Sequence, residues 1–536
     1  MKNFILKKTI FIILLIINFN ILLSVELPIG LTAQELTEMD MIDSMTRETD
    51  PPPGPVRNIA EFERMNGVLI RYPFGISTSI IKEMAEDVIV YCLVSSSQQN
   101  SAYNSMNNGD VNMNNIEFIT GSTDSYWTRD YGPWWVVDGN DDVGIVDFTY
   151  NRPRPNDNQA PQKVADHLSS SYFSTDMVTT GGNYMTDGLG LSAATHIAYT
   201  ENNQCNTNNE SSIPLPSCNY VDNQMNDFYG INEYHVVADP NDEYIDHIDC
   251  WAKFLSPQKL LIRSVPTSHS QYNEIESVVT YFESITNSFG EPWEIFRVYT
   301  PNDQPYTNSL ILNEKVLVPI MNSSWDDDAL AAYENALPGY EVLGFTGSWQ
   351  STDALHCRTK GIPDLNMLQI FHNPIDNQSN PEDSFVIETI IDDLSNEGLI
   401  YEELKAFWWT DQMNQPEEVL LSVCPWDIPD CYVGSIPSLS YDSQIKYYIQ
   451  ALDNTGRLEK LPMAGYYEFD AVAGVVFDDG DVNQDNQINV LDIVLTVNFV
   501  LDSGDLNQSQ QMIADMNSDG IINILDIILI VNIIIE

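Results

Sequence analysis

Basic side chains are scarce in this sequence. Its 536 residues include 23 Lys and Arg against 78 Asp and Glu, which leaves a formal net charge of −55 at pH 7. A surface with this charge repels phosphate groups, so we expect neither nucleic acid nor an anionic membrane surface as a partner. A cluster of basic residues on such a chain therefore needs a specific reason.

Histidine is also scarce, and apolar runs of membrane-spanning length are missing. The chain has 7 His, and no companion Cys or His spacing typical of a zinc site accompanies them. An apolar run at 9–23 follows a Lys-containing start but is shorter than the ~20 residues that a span requires. We interpret 1–24 as a signal peptide, cleaved after Ser24 or Ala33, with an uncleaved anchor as the alternative. The chain is thus expected to be secreted.

The cysteine count is odd. Cys205 and Cys218 lie in one turn-rich loop region, and Cys424 and Cys431 lie in another, so each pair can form a disulfide in an exported protein. A total of 7 Cys leaves at least one thiol unpaired and open to a chemical role.

Composition changes along the chain predict several domains. Residues 25–56 are acidic and then rich in proline, which is typical of a linker or a mobile lead-in. From 57 to 372, short β-like runs alternate with helical segments, which predicts an α/β domain. A shift to Asn, Pro and Asp marks the next boundary. Residues 373–472 are expected to form a β-sandwich of the immunoglobulin kind, either a binding module or a structural companion.

The C-terminal segment, after a short linker at 473–479, contains an internal repeat. Asp481-Val-Asn-Gln-Asp485 recurs as Asp515-Met-Asn-Ser-Asp519, and each copy continues into an apolar helix. Oxygen-bearing side chains at loop positions one, three, five, nine and twelve can surround one Ca²⁺, which takes roughly six to eight oxygen ligands. The candidate ligands are Asp481, Asn483, Asp485, Asn489, Asp492, Asp515, Asn517, Asp519, Asn523 and Asp526.

The repeat in 480–536 resembles a type I dockerin, a small α-helical calcium-binding module. The resemblance implies two structural Ca²⁺ sites and a cohesin-type partner on a scaffold or cell surface. The alternative is a calcium-stabilised terminal cap without a partner. The apolar character of the two helices favours a partner.

Cys357 is a candidate nucleophile. His356 precedes it, and Arg358 and Lys360 follow it. Nearby positive charge lowers the pKa of a thiol and favours the reactive thiolate. A buried structural cysteine is the alternative, but a basic cluster on so acidic a chain favours a chemical role.

Two further motifs contain carboxylates that suit catalysis. If Asp246-His-Ile-Asp-Cys-Trp251 is a strand, His247 and Asp249 lie on the same face, where they can bind metal or transfer protons. We favour catalysis, because companion metal ligands are missing from the pattern. Asp130 lies in Trp127-Thr-Arg-Asp-Tyr-Gly-Pro-Trp134, an aromatic cluster, and a structural pair with Arg129 is the alternative.

Five motifs in a fixed order resemble the agmatine deiminase and bacterial peptidylarginine deiminase family. They are Trp127-Thr-Arg-Asp-Tyr-Gly-Pro133, Gly181-Gly-Asn-Tyr-Met-Thr-Asp-Gly188, His247-Ile-Asp249, Thr307-Asn-Ser309 and His356-Cys357. The resemblance covers 57–372 and implies the pentein fold, a five-bladed α/β propeller. It also implies hydrolysis of a guanidinium group without an organic cofactor or a catalytic metal. A following β-sandwich and the Arg152-Pro-Arg154 pair make the peptidylarginine deiminases the nearer match, while the dockerin departs from the usual family ending.

The resemblance implies a role for each matching residue. Cys357 would be the nucleophile and His247 the proton carrier. Asp130 and Asp249 would clamp the guanidinium, and Asn308 would position the thiol. The residues expected to contact the substrate are Trp127, Arg152, Arg154, Tyr244 and Ile245.

The arginine pair suggests the substrate. A matching pair in bacterial peptidylarginine deiminases grips the substrate's α-carboxylate, so we expect arginine in peptides or proteins, in particular C-terminal arginine, to be converted to citrulline. Three alternatives remain: a deiminase of agmatine or free arginine, a non-catalytic adhesin that carries a dockerin, and a cysteine protease that uses Cys357 and His247.

Overall fold

The computed structural model describes residues 27–205, 210–242, 244–377, 384–439, 441–471, 480–485, 487–501, 503–504, 506, 508–517 and 520–535. The predicted signal peptide, the linker at 473–479 and the candidate ligand Asp519 lie outside these residues. Within them, no helix has both the length and the apolar character that crossing a membrane requires.

Residues 57–363 form five mixed sheets that repeat one pattern. In each sheet a middle strand pairs antiparallel with one neighbour and parallel with another. In spatial order, the sheets are β1 (Arg57–Asn58), β5 (Trp134–Val137), β6 (Val143–Tyr150), β7 (Ser171–Thr179); β10 (Glu233–Val237), β9 (Leu191–Thr195), β8 (Met185–Thr186); β11 (Ala252–Phe254), β12 (Lys259–Ser264), β13 (Glu294–Tyr299); β14 (Leu310–Leu312), β15 (Lys315–Ile320), β16 (Glu341–Thr346); and β17 (Lys360–Pro363), β2 (Met65–Arg71), β3 (Ile89–Val94), β4 (Ile116–Thr120).

Helices connect the parallel strands, because strands that run the same way need a crossover between them. The helices of this domain are α2 (Thr78–Asp87), α3 (Gln99–Asn108), α4 (Pro155–Asn158), α5 (Ala160–Leu168), α6 (Ile197–Thr200), α7 (Asn219–Tyr229), α8 (Tyr272–Glu283) and α9 (Asp326–Ala336). Short 3₁₀ turns lie at Met113–Asn115, Gly181–Asn183, Ile248–Cys250 and His356–Arg358.

The last strand of this domain completes the sheet that contains its first long strand. β17 pairs antiparallel with β2, and β2 continues in parallel to β3 and β4. Strands β3 and β6 are buried along nearly their whole length, in line with the apolar runs that predicted an α/β domain. The two ends of the domain are thereby held in one sheet.

The segment expected to be a linker is folded onto the α/β domain. It contains a 3₁₀ turn at Glu35–Thr37 and helix α1 (Met41–Met45), whose Ile42 and Met45 are buried. Farther along, Thr49 N donates to Ser174 O. The prediction of a mobile lead-in at 25–56 is therefore wrong for its described part, because its apolar side chains have a surface to pack on.

Two antiparallel sheets follow and share one apolar core. Their strands are β18 (Leu368–Phe371), β19 (Ser384–Asp393), β23 (Cys431–Pro437), β22 (Ser422–Val423) in one sheet and β21 (Glu417–Leu420), β20 (Lys405–Trp409), β24 (Ser443–Leu452), β25 (Leu458–Leu461) with β26 (Tyr467–Ala471) in the other. A 3₁₀ turn lies at Tyr401–Glu403. Because β18 pairs with β19, the domain begins before β18 rather than after His372.

The described residues of the C-terminal module include three helices: α10 (Val490–Val500), α11 (Gln508–Ala514) and α12 (Ile524–Ile535). The sequence predicted the first and the third of them. Asn489 starts α10 as its cap, since its Oδ1 accepts the Leu491 amide at 2.9 Å. Both local cysteine pairs, Cys205–Cys218 and Cys424–Cys431, form disulfides.

Candidate active site

The five sequence motifs occupy equivalent places in the five sheets. Each contributes the residues just before the strand that pairs antiparallel with its sheet's middle strand. In chain order these are Asp130 before β5, Gly182 before β8, Asp249 before β11, Asn308 before β14 and Cys357 before β17. The shared position explains how motifs so far apart in sequence meet at one place.

Cys357 is fully buried and is held by Asn308. The Asn308 Nδ2 group donates to Cys357 Sγ at 3.3 Å. The Oδ1 atom of the same amide accepts from the backbone N–H groups of His356 at 3.0 Å and Cys357 at 3.3 Å. These two contacts orient the amide, so its NH₂ group has to face the sulfur.

Carboxylates lie close to the Cys357 sulfur. Asp249 Oδ2 lies 3.9 Å from Cys357 Sγ. Burial, followed by the nearby carboxylates of Asp249 and Asp130, raises the pKa of Cys357 well above its usual value. The resting side chain is therefore a thiol.

The expectation that Arg358 and Lys360 favour a thiolate is wrong. The Arg358 guanidinium pairs with Asp353, with 2.7 Å between Nη2 and Oδ2. The Lys360 ammonium lies over the Trp134 ring, 3.2 Å from its centre. Sequence proximity to Cys357 did not reveal where these side chains point.

His247 lies beside Asp130 and has unused hydrogen-bonding capacity. Its Nδ1 is 3.6 Å from Asp130 Oδ1, and both of its ring nitrogens lack a hydrogen-bond partner among the described residues. Burial lowers the pKa of His247 to about 4, so the ring is a neutral base at neutral pH. The motif forms a 3₁₀ turn rather than the expected strand, since Cys250 N donates back to His247 O.

Asp130 is buried, and its environment favours the protonated form. Burial, followed by the like charge of Asp249, raises the pKa of Asp130 well above its usual value. Gly182 permits the close approach of Asp130 and His247, because a Cβ atom at position 182 would lie 2.6 Å from both Asp130 Oδ1 and His247 Nδ1. A cation placed between Asp130 and Asp249 would relieve their repulsion.

His356 links Asp249 to Glu61, a residue that sequence reasoning missed. His356 Nδ1 is 2.7 Å from Asp249 Oδ2, and His356 Nε2 is 2.5 Å from Glu61 Oε2. Glu61 also contacts Lys253 Nζ at 2.8 Å and Arg129 Nη2 at 2.7 Å. Burial raises the pKa of Glu61, but His356, Lys253 and Arg129 together hold it well below its usual range.

The protonation of His356 follows from this geometry. Although burial raises the pKa of Asp249, its contact with His356 holds that pKa below the usual value, so both neighbouring carboxylates are ionised. Burial works against charge on the ring and lowers the pKa of His356. However, an ionised carboxylate only accepts hydrogen bonds, and each ring nitrogen faces one. We therefore assign two protons to the ring, since a neutral ring would turn a lone pair toward one carboxylate.

The residues expected to contact the substrate differ in their surroundings and in their burial. The Arg154 guanidinium stacks over Trp127, 5.1 Å from the ring centre, and both side chains are buried. Arg152 is close enough for its charge to lower the pKa of both Asp130 and His247. Ile245 is buried, whereas Tyr244 is 64% exposed.

The two C-terminal loops gather oxygen atoms. In the first, the Oδ1 atoms of Asp481 and Asn483 both accept the Asp485 amide, at 3.1 and 2.9 Å. Both carboxylate oxygens of Asp492 accept backbone amides, and in the second loop Asp526 makes equivalent contacts. Among the described residues, no three His, Cys, Asp or Glu side chains form a metal-holding cluster.

The charge of this module nevertheless fits a cation. The carboxylates of Asp481, Asp492 and Asp526 are at most 1% exposed. No Lys, Arg or His follows Lys460 in the sequence, so the module has no cationic side chain of its own. Buried carboxylates need a counter-charge, and hard oxygen ligands suit Ca²⁺.

Comparison with known proteins follows the same division of the chain. A family model for the Porphyromonas-type peptidyl-arginine deiminases matches residues 75–363, and one for the type I dockerin domain matches 479–535. A Yersinia pseudotuberculosis protein assigned as an agmatine deiminase is 23% identical over 292 residues, which span 46% of this chain and 77% of that protein.

Solved structures resemble the α/β domain. The agmatine deiminase of Enterococcus faecalis matches with a TM-score of 0.51 and 18% identity, over 59% of this chain and 99% of that one. A Porphyromonas gingivalis protein assigned as an arginine deiminase matches with a TM-score of 0.50 and 17% identity, over 57% of this chain and 98% of that one. At these identities the likeness concerns the fold alone.

Proposed function

Because the chain belongs to the Porphyromonas-type peptidyl-arginine deiminase family and ends in a type I dockerin domain, we propose that it is a secreted hydrolase of peptidyl-arginine. It would convert arginine, in particular C-terminal arginine, to citrulline and ammonia. One observation supports this most directly: among the described residues, Asp130 Oδ1 and both His247 nitrogens have no hydrogen-bond partner, although they are buried close to Asp249, which faces the Cys357 sulfur. Buried polar groups are rarely left unpaired for structural reasons, so a polar ligand is expected to complete them.

The substrate guanidinium supplies what these groups lack. It is planar, positively charged and rich in N–H donors, and the carboxylates of Asp130 and Asp249 only accept when ionised. Its charge would offset their repulsion and reverse the rise in the pKa of Cys357. Clamping the planar group between two carboxylates also holds its carbon beside the sulfur.

The first half of the reaction forms a covalent intermediate. Neutral His247 takes the proton of the Cys357 thiol, and the sulfur adds to the guanidinium carbon to give a neutral tetrahedral adduct. The His247 imidazolium then returns the proton to one NH₂ group, and the carbon–nitrogen bond breaks as ammonia leaves. A positively charged thiouronium remains on Cys357.

Water completes the reaction at the same carbon. His247 removes a proton from water while the oxygen adds to the thiouronium carbon. The carbon–sulfur bond then breaks, the sulfur regains a proton from His247, and the product is the urea group of citrulline. The remaining proton leaves with ammonia as ammonium. The role of Asn308 would be to hold the sulfur while these bonds change.

The fold proposal is that the five repeated sheets form the blades of a five-bladed propeller of the pentein type. The repeated strand pattern supports it, as does the pairing of β17 with β2, which would close the ring. The two antiparallel sheets that follow would form an immunoglobulin-like sandwich.

The C-terminal module would bind two structural Ca²⁺ ions and attach the enzyme to a cohesin-type partner outside the cell. Buried carboxylates without any cationic side chain in the module support the calcium proposal. Exposed apolar side chains on its two long helices support a docking role, and they include Val490, Leu491, Val494, Ile524, Leu525 and Ile528. Calcium would stabilise the module and take no part in the chemistry at Cys357.

A deiminase of agmatine or free arginine is the second candidate. The Yersinia relative favours it, as does the fact that Arg154 is already paired with Glu35 of the same chain, at 2.7 Å. Agmatine has no carboxylate and would leave that pair undisturbed.

A matched set of substrates tests the choice. One peptide ends in arginine with a free carboxylate, a second is the same peptide as its amide, and the third substrate is agmatine. We expect the highest kcat/KM for the free carboxylate, and the Arg152→Ala, Arg154→Ala double variant should lose that preference. Equal values for the two peptides would reject C-terminal recognition, and agmatine turning over fastest would establish the second candidate.

A further inference from the structure

A short N-terminal stretch covers the arginine that is expected to bind the substrate carboxylate. Arg154 Nε donates to Glu35 Oε1 at 2.7 Å, and Arg154 Nη2 donates to the carbonyl oxygens of Pro28 at 3.2 Å and Gly30 at 3.3 Å. These contacts and the Trp127 ring leave Arg154 only 1% exposed. The guanidinium is thus bound to the chain's own N-terminal segment.

The segment is built to present this carboxylate. Glu35 begins a 3₁₀ turn, and its side chain and backbone exchange hydrogen bonds with Thr32: Thr32 N donates to Glu35 Oε2 at 2.7 Å, and Glu35 N donates to Thr32 Oγ1 at 3.1 Å. This reciprocal pattern resembles a capping box and limits the rotation of the Glu35 side chain. The carboxylate is therefore held at Arg154 in a defined orientation.

The backbone of the segment is anchored beside the same site. Leu31 N donates to the Tyr244 hydroxyl at 2.9 Å. Gly30 lies flat against the Tyr244 ring, since a Cβ atom at position 30 would be 2.5 Å from its Cε1 atom. Ile29 packs on the apolar cluster that contains Ile245. Among the five residues expected to contact the substrate, Arg154 and Tyr244 therefore contact this segment directly. Ile245 lies in the apolar cluster on which Ile29 packs.

Glu35 has the charge state of a bound carboxylate ligand. Burial alone raises its pKa, but the hydrogen bonds from Arg154 and Thr32, together with the charge of Arg154, outweigh burial and lower the pKa of Glu35 below its usual value. A buried, ionised carboxylate on a buried guanidinium is the interaction that a peptide's α-carboxylate would make there.

We propose that residues 28–35, which remain in the chain when the signal peptide is cleaved after Ser24, are an intramolecular ligand of the Arg154 surface, and that a peptide ending in arginine displaces Glu35 from Arg154 in order to bind. This rests on the proposed function, since it requires that Arg154 binds the substrate carboxylate. Substrates without a carboxylate do not compete for Arg154.

The competition has a measurable size. If Glu35 is released from Arg154 in only a fraction of the molecules, the apparent affinity for the peptide is reduced by that fraction. The rate of the chemical steps after the peptide has bound does not change. The segment therefore acts on KM for carboxylate-ended peptides and leaves kcat unchanged. A ligand tethered in the same chain is present at an effective concentration of about millimolar, so the effect is independent of enzyme concentration.

Glu35→Gln in the full chain tests the charge. Glutamine retains the size of the side chain and an oxygen for Thr32 N but removes the ionic contact with Arg154. We expect KM for the peptide ending in free arginine to fall by at least about threefold, with unchanged kcat, and KM for the amidated peptide to stay the same. The matched control is Glu38→Gln, because Glu38 follows the segment closely, is half-buried and contacts Gln34 instead of Arg154.

Equal KM values for the wild type and Glu35→Gln, in proteins of the same melting temperature, would overturn the proposal and leave residues 28–35 as a structural brace. A fall in KM for both peptides alike would also overturn it, because the segment would then block entry in general rather than compete for Arg154.

A second measurement does not depend on turnover. In the Cys357→Ala variant, amide hydrogen exchange is followed at residues 29–37 with the free-carboxylate peptide, with its amide and with neither. Displacement predicts faster exchange only with the free carboxylate. Unchanged exchange at a peptide concentration that saturates binding would overturn the proposal while the proposed function stands. If no arginine peptide binds or is turned over, the proposed function itself fails, and this inference fails with it.

Discussion

His356, one residue before Cys357 in the chain, places its Nδ1 atom 2.7 Å from Asp249 Oδ2. Through this contact His356, which is next to Cys357 in the chain, influences the ionisation and the orientation of the Asp249 carboxylate that faces the sulfur. On the other side of the ring, Glu61 accepts from Nε2 and stabilises the doubly protonated state. We infer that Glu61 and His356 are positioning residues that keep Asp249 ionised and correctly turned.

The first prediction concerns Glu61→Gln. Without the Glu61 charge, His356 loses its second proton, and the pKa of Asp249 rises from its lowered value. A carboxylate with a lowered pKa keeps its ionised form until the pH falls through that pKa, so the variant should lose activity at a higher pH than the wild type. We expect the acid limb of kcat/KM to move upward, with a loss of about tenfold at about pH 5. The control is Glu63→Gln, whose carboxylate pairs with Arg57. Superimposable pH profiles would show that Glu61 has only a structural role.

The second prediction uses the raised pKa of Cys357. A thiol among carboxylates reacts slowly with a neutral alkylating agent, but a cationic agent offsets those charges and brings its carbon to the sulfur. Chloroacetamidine should therefore inactivate the enzyme at least about a hundredfold faster than chloroacetamide, which has nearly the same shape. Mass spectrometry should locate the adduct on Cys357. Asp130→Asn should reduce the preference, and similar rates for both agents on the wild type would contradict a carboxylate clamp.

The third prediction concerns the two carboxylates of the clamp. Asp130→Asn and Asp249→Asn each place an NH₂ group where the guanidinium offers only donors. Each change should remove about 3 kcal/mol of transition-state binding, which is about two orders of magnitude in kcat/KM. Asp427→Asn, at an exposed position, is the control. If both clamp variants keep most of the activity, the guanidinium is bound elsewhere.

Whether a structural feature could be predicted from the sequence depends on how far apart along the chain its interacting residues lie. Strands β2 and β15 followed from local apolar runs, and the five motifs identified the family because their order is itself a pattern. The Glu61–His356 contact joins residues 295 positions apart, so no local pattern contained it. Sequence proximity also misled, because Arg358 follows Cys357 in the chain but its guanidinium pairs with Asp353.

The N-terminal segment shows a second limit. Its acidic and Pro-rich composition is that of a linker, and composition cannot reveal that Glu35 meets Arg154. Composition also misplaced the start of the second domain. The boundary lies before β18, because β18 pairs with β19 of that domain, and such a pairing cannot be read from composition.

The fourth prediction is that calcium stabilises the C-terminal module without affecting catalysis. Chelation should lower the temperature of its unfolding transition in the full chain, because the buried carboxylates then lose their counter-charge. Asp481→Ala combined with Asp515→Ala should abolish the response. Citrulline formation should continue in the presence of chelator. A melting profile of the wild type that does not change with calcium would contradict the proposed calcium sites. Loss of activity on chelation would contradict the proposal that calcium takes no part in catalysis.

The most direct test of the account is the fate of one arginine in the presence and absence of the Cys357 sulfur. A peptide ending in arginine is incubated with the wild type and with Cys357→Ala of equal melting temperature, and citrulline and ammonia are both quantified. The account predicts equal amounts of the two products from the wild type and none above background from the variant. Citrulline formation by Cys357→Ala at a rate near that of the wild type would contradict it.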